Sequence, residues 1–226
     1  EGGEVEIGST VTFSVTLDTN YDESTITVKA NEEIALSLYF SKSEIGEMPN
    51  ITTSGFSGGS AYVAIGNKTH EEVINTSLGP ITLPSEPIGI GTAKAVPLLS
   101  DVDVYSNESD PYSVVVVGDE TVANNLNGYL GRLVYAEGAD GIGVIGKGII
   151  GNCLIADAGA VSGDIYGKSL LNRMWDDVVN VENVRYAIVK IGVNDIVLGG
   201  YNTEEMIRGF ETFIKRCHEN DIKVIA

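Results

Sequence analysis

Apolar and polar residues alternate along the first half of the chain. In TVTFSVTLD, at 10–18, every second residue is apolar, and the same alternation recurs in IALSLYF at 34–40. Alternation of this kind, interrupted by Thr, Ser, Asn and Gly, is typical of half-buried antiparallel strands. We therefore predict a small all-β, sandwich-like domain for residues 1–110, which ends in an acidic linker at 101–110.

The second half of the chain has a different pattern, in which apolar residues form continuous runs. The first run is YSVVVV at 112–117, and others follow at 141–145, 186–191 and 222–225. Continuous β-branched runs indicate strands that are covered on both faces. Helices are predicted between them at 126–135 and 166–178.

The clearest helix is predicted just before the last strand. Asn202 is placed to cap it, with Glu205 three residues later as the partner in a capping box. Its apolar residues recur at helical spacing: Met206, Ile207, Phe210, Phe213, Ile214 and Cys217. Strands that alternate with helices predict an α/β domain with a doubly wound parallel sheet over residues 111–226.

The charge of the chain narrows the choice of partners. Its 226 residues include 14 Lys and Arg against 32 Asp and Glu, a formal net charge of −18. With this negative charge, neither nucleic acid nor an anionic membrane is an expected partner, since binding to either requires a basic surface. The expected partner is a small-molecule ester or carbohydrate, with no metal or cofactor. Four N-x-S/T sequons favour an extracellular protein. We expect a secreted bacterial protein, with a cytoplasmic location as the alternative.

The sequence contains neither the pattern of a targeting signal nor that of a disulfide framework, so we expect either a cytoplasmic protein or one whose signal has been removed. No run reaches the roughly 18 apolar residues of a membrane span, and the first ten residues, EGGEVEIGST, lack the pattern of a signal peptide. Cys153 and Cys217 are too few for a disulfide scaffold or a zinc site. We expect two buried thiols.

Glycines and polar residues follow each of the first three strands of the predicted sheet. Glu120 follows the first strand in GDE, Gly151 the second in GIIGN, and Asn194 the third in GVND. Ligand sites in such sheets lie beyond the carboxyl ends of the strands. Backbone N–H groups and an Asn amide are the components of an oxyanion hole. We therefore predict that Gly151 and Asn194 share a pocket with residue 120.

These three segments, VVVVGDE, KGIIGN and VKIGVNDI, occur in an order that resembles the GDSL-like lipase/acylhydrolase family, also called SGNH hydrolases. The resemblance covers roughly residues 111–226, and IALSLYF is similar to the β-sandwich of two-domain esterases. It implies a serine esterase that acts on a small acyl or acetylated-carbohydrate ester. It also implies that Gly151 and Asn194 form the oxyanion hole and that Asp195 fixes its loop.

The chain departs from that family at the nucleophile, where Glu120 replaces the expected serine. A carboxylate cannot follow the Ser–His route. The hydroxyl of Thr121 is one residue further on, so its side chain should point elsewhere. The histidines, His70 and His218, do not lie in the expected DxxH element, which would belong to a segment beyond Ala226 or to a separate chain.

The sequence therefore leaves two functions open. The first is an SGNH hydrolase scaffold with impaired activity, in which the carboxylate of Glu120 fills the oxyanion hole. Its pKa should then be lowered, provided that hydrogen bonds outweigh desolvation. The alternative is a noncatalytic protein that binds a glycan or another ligand. A structural or adhesive role of the front domain is a third option.

Two further features of the sequence are weaker signals. GxGxxG occurs at 141–146 and again at 146–151, but a dinucleotide fingerprint must follow a strand and open a helix, whereas 141–145 is itself a predicted strand. Trp175 is compatible with a sugar site, although packing of its helix against the sheet is the favoured interpretation.

Overall fold

The computed structural model describes residues 108–139, 141–157 and 166–226, together with two short strands in the first half. These are β1 (Thr82–Leu83) and β2 (Ala93–Lys94), which pair antiparallel with Thr82 opposite Lys94. The rest of the predicted β-sandwich domain lies outside the described residues, so that prediction stays a prediction.

The second half contains a parallel four-stranded sheet, as the runs of apolar residues predict. Its strands are β3 (Tyr112–Gly118), β4 (Ile142–Gly148), β5 (Val184–Lys190) and β6 (Lys223–Ile225). Their order in the sheet is β4-β3-β5-β6, and every neighbouring pair is parallel. The chain runs outward from β3 to β4 and then crosses to β5 on the other side. This reversal creates a switch point between β3 and β5, where ligands bind in sheets of this kind.

Helical segments connect these strands. A π-helical turn (Val122–Leu126) leads into α1 (Asn127–Ala136), and α2 (Leu170–Met174) continues into a second π-helical segment (Trp175–Val179). They are followed by α3 (Val193–Val197) and α4 (Thr203–His218). The helix predicted from residue 166 begins later, because Gly167 has a φ of +68°, which no right-handed helix contains.

Helix α4 begins at the predicted capping box. The Asn202 side chain accepts hydrogen bonds from the N–H groups of Glu204 and Glu205, and the Glu205 carboxylate accepts one from the Asn202 N–H at 2.9 Å. Met206, Phe213 and Cys217 are buried, whereas Ile207 is 52% exposed, contrary to prediction. The physical reason is rotation, since Ile207 lies about 100° around the helix from Met206.

Helices cover both faces of the sheet. Val115 and Val117 of β3 belong to one buried cluster with apolar residues of α2 and α4. On the opposite face, Gly146 is paired with Val116 and lies so close to α1 that an added Cβ would be 2.3 Å from the Asn127 side chain. Burial on both sides explains why β3 is a continuous apolar run.

The burial of the two cysteines and of Trp175 can be compared with the sequence predictions. Both cysteines are buried, as expected. Trp175 is 47% exposed, so the prediction that it packs against the sheet is wrong; its neighbours Met174 and Val178 take the buried positions of that segment instead. Within the described ranges, no helix has the length and apolar character needed to cross a membrane.

Candidate functional site

Glu120 lies directly after β3, where the chain turns into the helical segment that leads to α1. Its Oε2 accepts a hydrogen bond from the backbone N–H of Gly151 at 3.3 Å and another from Asn194 Nδ2 at 3.0 Å. Three strand-end loops thus meet at one carboxylate oxygen. This is the convergence that the sequence predicts for these residues.

Asn194 is held by a second contact in addition to Glu120. Its Nδ2 also donates to the backbone oxygen of Asn152 at 3.1 Å. The turn before it contains Gly192 with a φ of +123°, a conformation that glycine adopts without strain. The amide is therefore fixed between the loop after β4 and the carboxylate.

Gly151 presents its N–H through a turn that favours glycine. Its φ is +73°, and a Cβ added there would lie 2.4 Å from the ring of Tyr166. Both the backbone conformation and the close packing therefore disfavour any side chain. The N–H that faces Glu120 depends on this residue being glycine.

The pocket stabilises the ionised form of Glu120. Partial burial alone would raise its pKa, but hydrogen bonds from Asn194 and from the backbone at Glu120 and Gly151 outweigh burial. The nearby positive charge of Lys190 acts in the same direction, so the pKa is lowered, as the sequence predicts. The carboxylate is accordingly charged at neutral pH.

Asp119 fixes the turn on which Glu120 is carried. It is fully buried, and its carboxylate accepts hydrogen bonds from the Thr121 N–H at 3.1 Å and from Lys190 Nζ at 3.3 Å. The contact between Asp119 and Lys190 joins the end of β3 to the end of β5. Thr121, the nearest hydroxyl in the sequence, is exposed.

Asp195 joins α3 to the loop after β4. Its carboxylate is completely buried and accepts hydrogen bonds from the N–H groups of Leu154 at 2.7 Å and Ile155 at 2.9 Å. Burial raises its pKa, and these two hydrogen bonds oppose the rise. The contacts agree with the loop-fixing role that the resemblance implies.

Arg173 and Asn152 are parts of the site that sequence reasoning missed. Arg173 is only 6% exposed, and its guanidinium contacts Gly118, Lys147 and the side chain of Asn152. Asn152 is 1% exposed and donates to the backbone oxygens of Tyr166 and Lys168. The sequence contains one signal for Arg173. It lies between the apolar residues of LLNRMW, at a helical position that the apolar pattern predicts to be buried.

Three apolar residues of α3 have exposed side chains. Val193, Ile196 and Val197 are 45%, 57% and 72% exposed. Val197 lies three residues after Asn194, and residues at that spacing share one side of a helix. One exposed apolar residue, Val197, thus lies on the same side of α3 as the donor amide.

The residues that the structure describes form no metal centre. In these ranges, no group of three or more His, Cys, Asp and Glu side chains is placed to hold a metal ion. His218 lies in the last turn of α4, beside a shallow surface groove with Glu211 and Glu219, and His70 lies outside the described residues.

The fold and the site together define an α/β protein with a doubly wound parallel sheet and a pocket of hydrogen-bond donors at its switch point. No protein-family model and no curated protein matches the chain. Two similar solved structures are a putative lipolytic protein of the G-D-S-L family from Desulfitobacterium hafniense DCB-2 and AlinE4, an SGNH-hydrolase family esterase.

Both structures are 18% identical to this chain, with a TM-score of 0.38. The alignments cover 50% and 52% of this chain, and 56% and 58% of those two chains, respectively. The matched region thus spans somewhat more than half the length of each of the two solved chains.

Proposed function

We propose that residues 111–226 are an SGNH-type ester hydrolase scaffold whose oxyanion pocket is occupied by its own Glu120. The observation that carries this proposal is the acceptance of two hydrogen bonds by a single oxygen of Glu120, from the Gly151 N–H and the Asn194 amide. In this state the scaffold is impaired for ester hydrolysis.

The two donors are of the kind that stabilises acyl transfer. When a nucleophile attacks an ester, negative charge develops on the carbonyl oxygen, and a backbone N–H with an Asn amide stabilises that charge. An ionised carboxylate oxygen accepts the same hydrogen bonds in the ground state. An ester carbonyl would therefore have to displace Glu120 before it could use the pocket.

A substrate is proposed from the surroundings of the donors. The resemblance favours a small acyl or acetylated-carbohydrate ester, and the exposed apolar residues of α3 provide a surface for the acyl part. In an intact enzyme of this kind, a serine hydroxyl would form a bond to the acyl carbon while the alcohol leaves. Water would then release the acid and regenerate the hydroxyl.

The occupied pocket also supports a second candidate, a noncatalytic protein that binds a glycan or another small ligand. Glu120 supplies a fixed, ionised acceptor where the related enzymes have a reactive hydroxyl. A ligand with hydroxyl or amine donors would be recognised by such a group.

Acylation of an introduced serine tests the proposal. The natural chain, Glu120→Ser, Glu120→Ala and Glu120→Ser/Asn194→Ala are incubated with p-nitrophenyl acetate and p-nitrophenyl butyrate, and acylation is measured by intact mass spectrometry. Activated esters are used because the described residues place no histidine beside residue 120. We expect acylation of Glu120→Ser at position 120, and slowing by about 10²–10³-fold on removal of the Asn194 donor.

The controls separate the candidates. Glu120→Ala retains the donors without a hydroxyl and should not be acylated at residue 120. Equal rates in Glu120→Ser and Glu120→Ser/Asn194→Ala would contradict the oxyanion pocket. A natural chain that binds acetylated sugars, together with an unreactive Glu120→Ser, would favour the noncatalytic candidate.

A further inference from the structure

The guanidinium of Arg173 makes five hydrogen bonds, which equals its number of N–H donors. Nη1 donates to the Lys147 backbone oxygen at 2.9 Å and to Asp177 at 2.6 Å. Nη2 donates to the Gly118 backbone oxygen at 3.2 Å and to Asn152 Oδ1 at 3.0 Å, and Nε donates to the same Oδ1 at 3.2 Å. Two of these acceptors lie at the ends of β3 and β4, and a third belongs to Asn152, in the loop after β4.

Two of the contacts fix the ends of neighbouring strands. The Gly118 oxygen lies at the end of β3, two residues before Glu120, and the Lys147 oxygen lies near the end of β4, four residues before Gly151. One planar group binds both carbonyls, in addition to the parallel pairing of β3 with β4 and the hydrogen bond from the Ile149 N–H to the same Gly118 oxygen. Arg173 thereby braces the two strand ends that lead to Glu120 and to Gly151.

The contacts with Asn152 extend this effect to the other donor. Arg173 holds the side-chain oxygen of Asn152, and the backbone oxygen of Asn152 accepts a hydrogen bond from Asn194 Nδ2. The side-chain amide of Asn152 also holds the backbone of Tyr166, whose ring packs over Gly151. Both donors of the pocket are thus linked to Arg173 through one asparagine.

A buried arginine needs a reason, because apolar residues of similar volume often replace buried ion pairs without loss of stability. Burial lowers the pKa of Arg173, and its pairing with Asp177 opposes that shift. If the position served only to fill space in the core, it would not require a guanidinium with five N–H donors. Apart from Asp177, the acceptors that it reaches lie at the strand ends and at Asn152, which indicates a geometric role.

We propose that Arg173 is a positioning residue that holds the Gly151 N–H and the Asn194 amide in register with residue 120. This inference deepens the proposed function and rests on it. Arg173 acts through Gly118, Lys147 and Asn152, and it does not itself contact the carboxylate of Glu120 among the contacts described.

The test compares Arg173→Lys and Arg173→Met/Asp177→Asn with the matched control Arg216→Met. The lysine variant retains a positive charge beside Asp177, and the double variant removes both charges together, so neither leaves an isolated buried ion. Arg216 contacts α2 through the Leu171 backbone oxygen at 3.1 Å and does not reach a strand end. Thermal unfolding by circular dichroism confirms that each variant is folded.

Two readouts distinguish positioning from packing. The pKa of Glu120, measured by carbon-13 NMR, should rise towards its ordinary value in both Arg173 variants and stay unchanged in Arg216→Met. In the Glu120→Ser background, acylation by p-nitrophenyl acetate should slow by about 10–100-fold, the loss expected when donors move by about 1 Å. If the double variant does not fold, Arg173→Lys carries both readouts.

Asn194→Ala separates failure of this inference from failure of the proposed function. If Asn194→Ala raises the pKa of Glu120 but the Arg173 variants do not, the pocket stands and the positioning role is overturned. If Asn194→Ala leaves that pKa unchanged, the donor pocket itself is wrong. A loss of stability in the Arg173 variants without change in either readout means a purely structural arginine, which also overturns the inference.

Discussion

Asn194 donates a 3.0 Å hydrogen bond to Glu120, although 74 positions separate the two residues in the chain. The contact exists because β3 and β5 are adjacent parallel strands, so the residues that follow them emerge at the same edge of the sheet. A carboxylate here is held by its neighbours in the ionised form. Because of this hydrogen bond, the pKa of Glu120 reports whether the donors of the pocket are in place.

Asn194→Asp should raise the pKa of Glu120, because it replaces a donor with a second carboxylate of nearly the same size. Like charges disfavour a shared ionised state, so the shift should reverse in sign relative to the natural chain. The measurement is a carbon-13 NMR titration of the Glu120 carboxyl. Asn220→Asp, at an exposed asparagine after α4, is the control and should leave it unchanged. An unshifted Glu120 in Asn194→Asp would mean that Asn194 is not its donor.

The lowered pKa of Glu120 predicts how stability depends on pH. A carboxyl group whose pKa is lower in the folded state than in the unfolded state stabilises the protein above its unfolded pKa. That contribution is lost as the pH falls through the folded pKa. The free energy of unfolding of the natural chain should therefore fall on acidification more steeply than that of Glu120→Gln. Urea unfolding between pH 7 and pH 3 measures the difference, with Glu211→Gln on the exposed face of α4 as the control.

Gly151→Ala should destabilise the protein more than Gly200→Ala does. The two glycines have similar φ values, +73° and +67°, so both substitutions carry the same backbone cost of about 1–2 kcal/mol. Only at Gly151 would the new Cβ also meet the Tyr166 ring, at 2.4 Å, whereas it meets nothing within 4 Å at Gly200. Denaturant unfolding of the two variants compares them, and equal losses of stability would refute the close packing at Gly151.

Most of the α/β half could be predicted because its signals are local. Continuous valine runs mark β3, and the box formed by Asn202 and Glu205 marks the start of α4. The positions of Glu120, Gly151 and Asn194 follow from one general rule, that residues after parallel strands share an edge. No packing detail was needed for these predictions.

The contacts of Arg173 and Asn152 could not be predicted in the same way. The hydrogen bonds between Arg173 and Asn152 join residues 21 positions apart, and the bond from Arg173 to Gly118 joins residues 55 positions apart. Nothing in the local sequence specifies which carbonyls a buried guanidinium reaches. Ile207 was placed on a buried face by its spacing, and Trp175 by the frequent burial of tryptophan, and both are exposed. The face that a helix buries depends on the neighbouring elements, and these are known only from the three-dimensional structure.

The two cysteine thiols are buried in the folded protein. The pKa of Cys153 and that of Cys217 are each raised to about 11, in both cases chiefly by burial. Because the thiolate is the reactive form, neither cysteine should react with iodoacetamide in the folded protein at pH 8, and both should react in urea. Negative charge on Asp195 and Glu120 adds to the rise at Cys153 but not at Cys217.

Glu120→Gln should therefore increase the alkylation rate of Cys153 and leave that of Cys217 unchanged, which makes Cys217 an internal control. The substitution removes the negative charge of Glu120, which acts on the pKa of Cys153 and not on that of Cys217. Mass spectrometry after timed alkylation at pH 9 measures both rates in the same sample. Equal acceleration at both thiols would indicate general loosening of the fold, and no acceleration at Cys153 would show that the charge of Glu120 does not reach it.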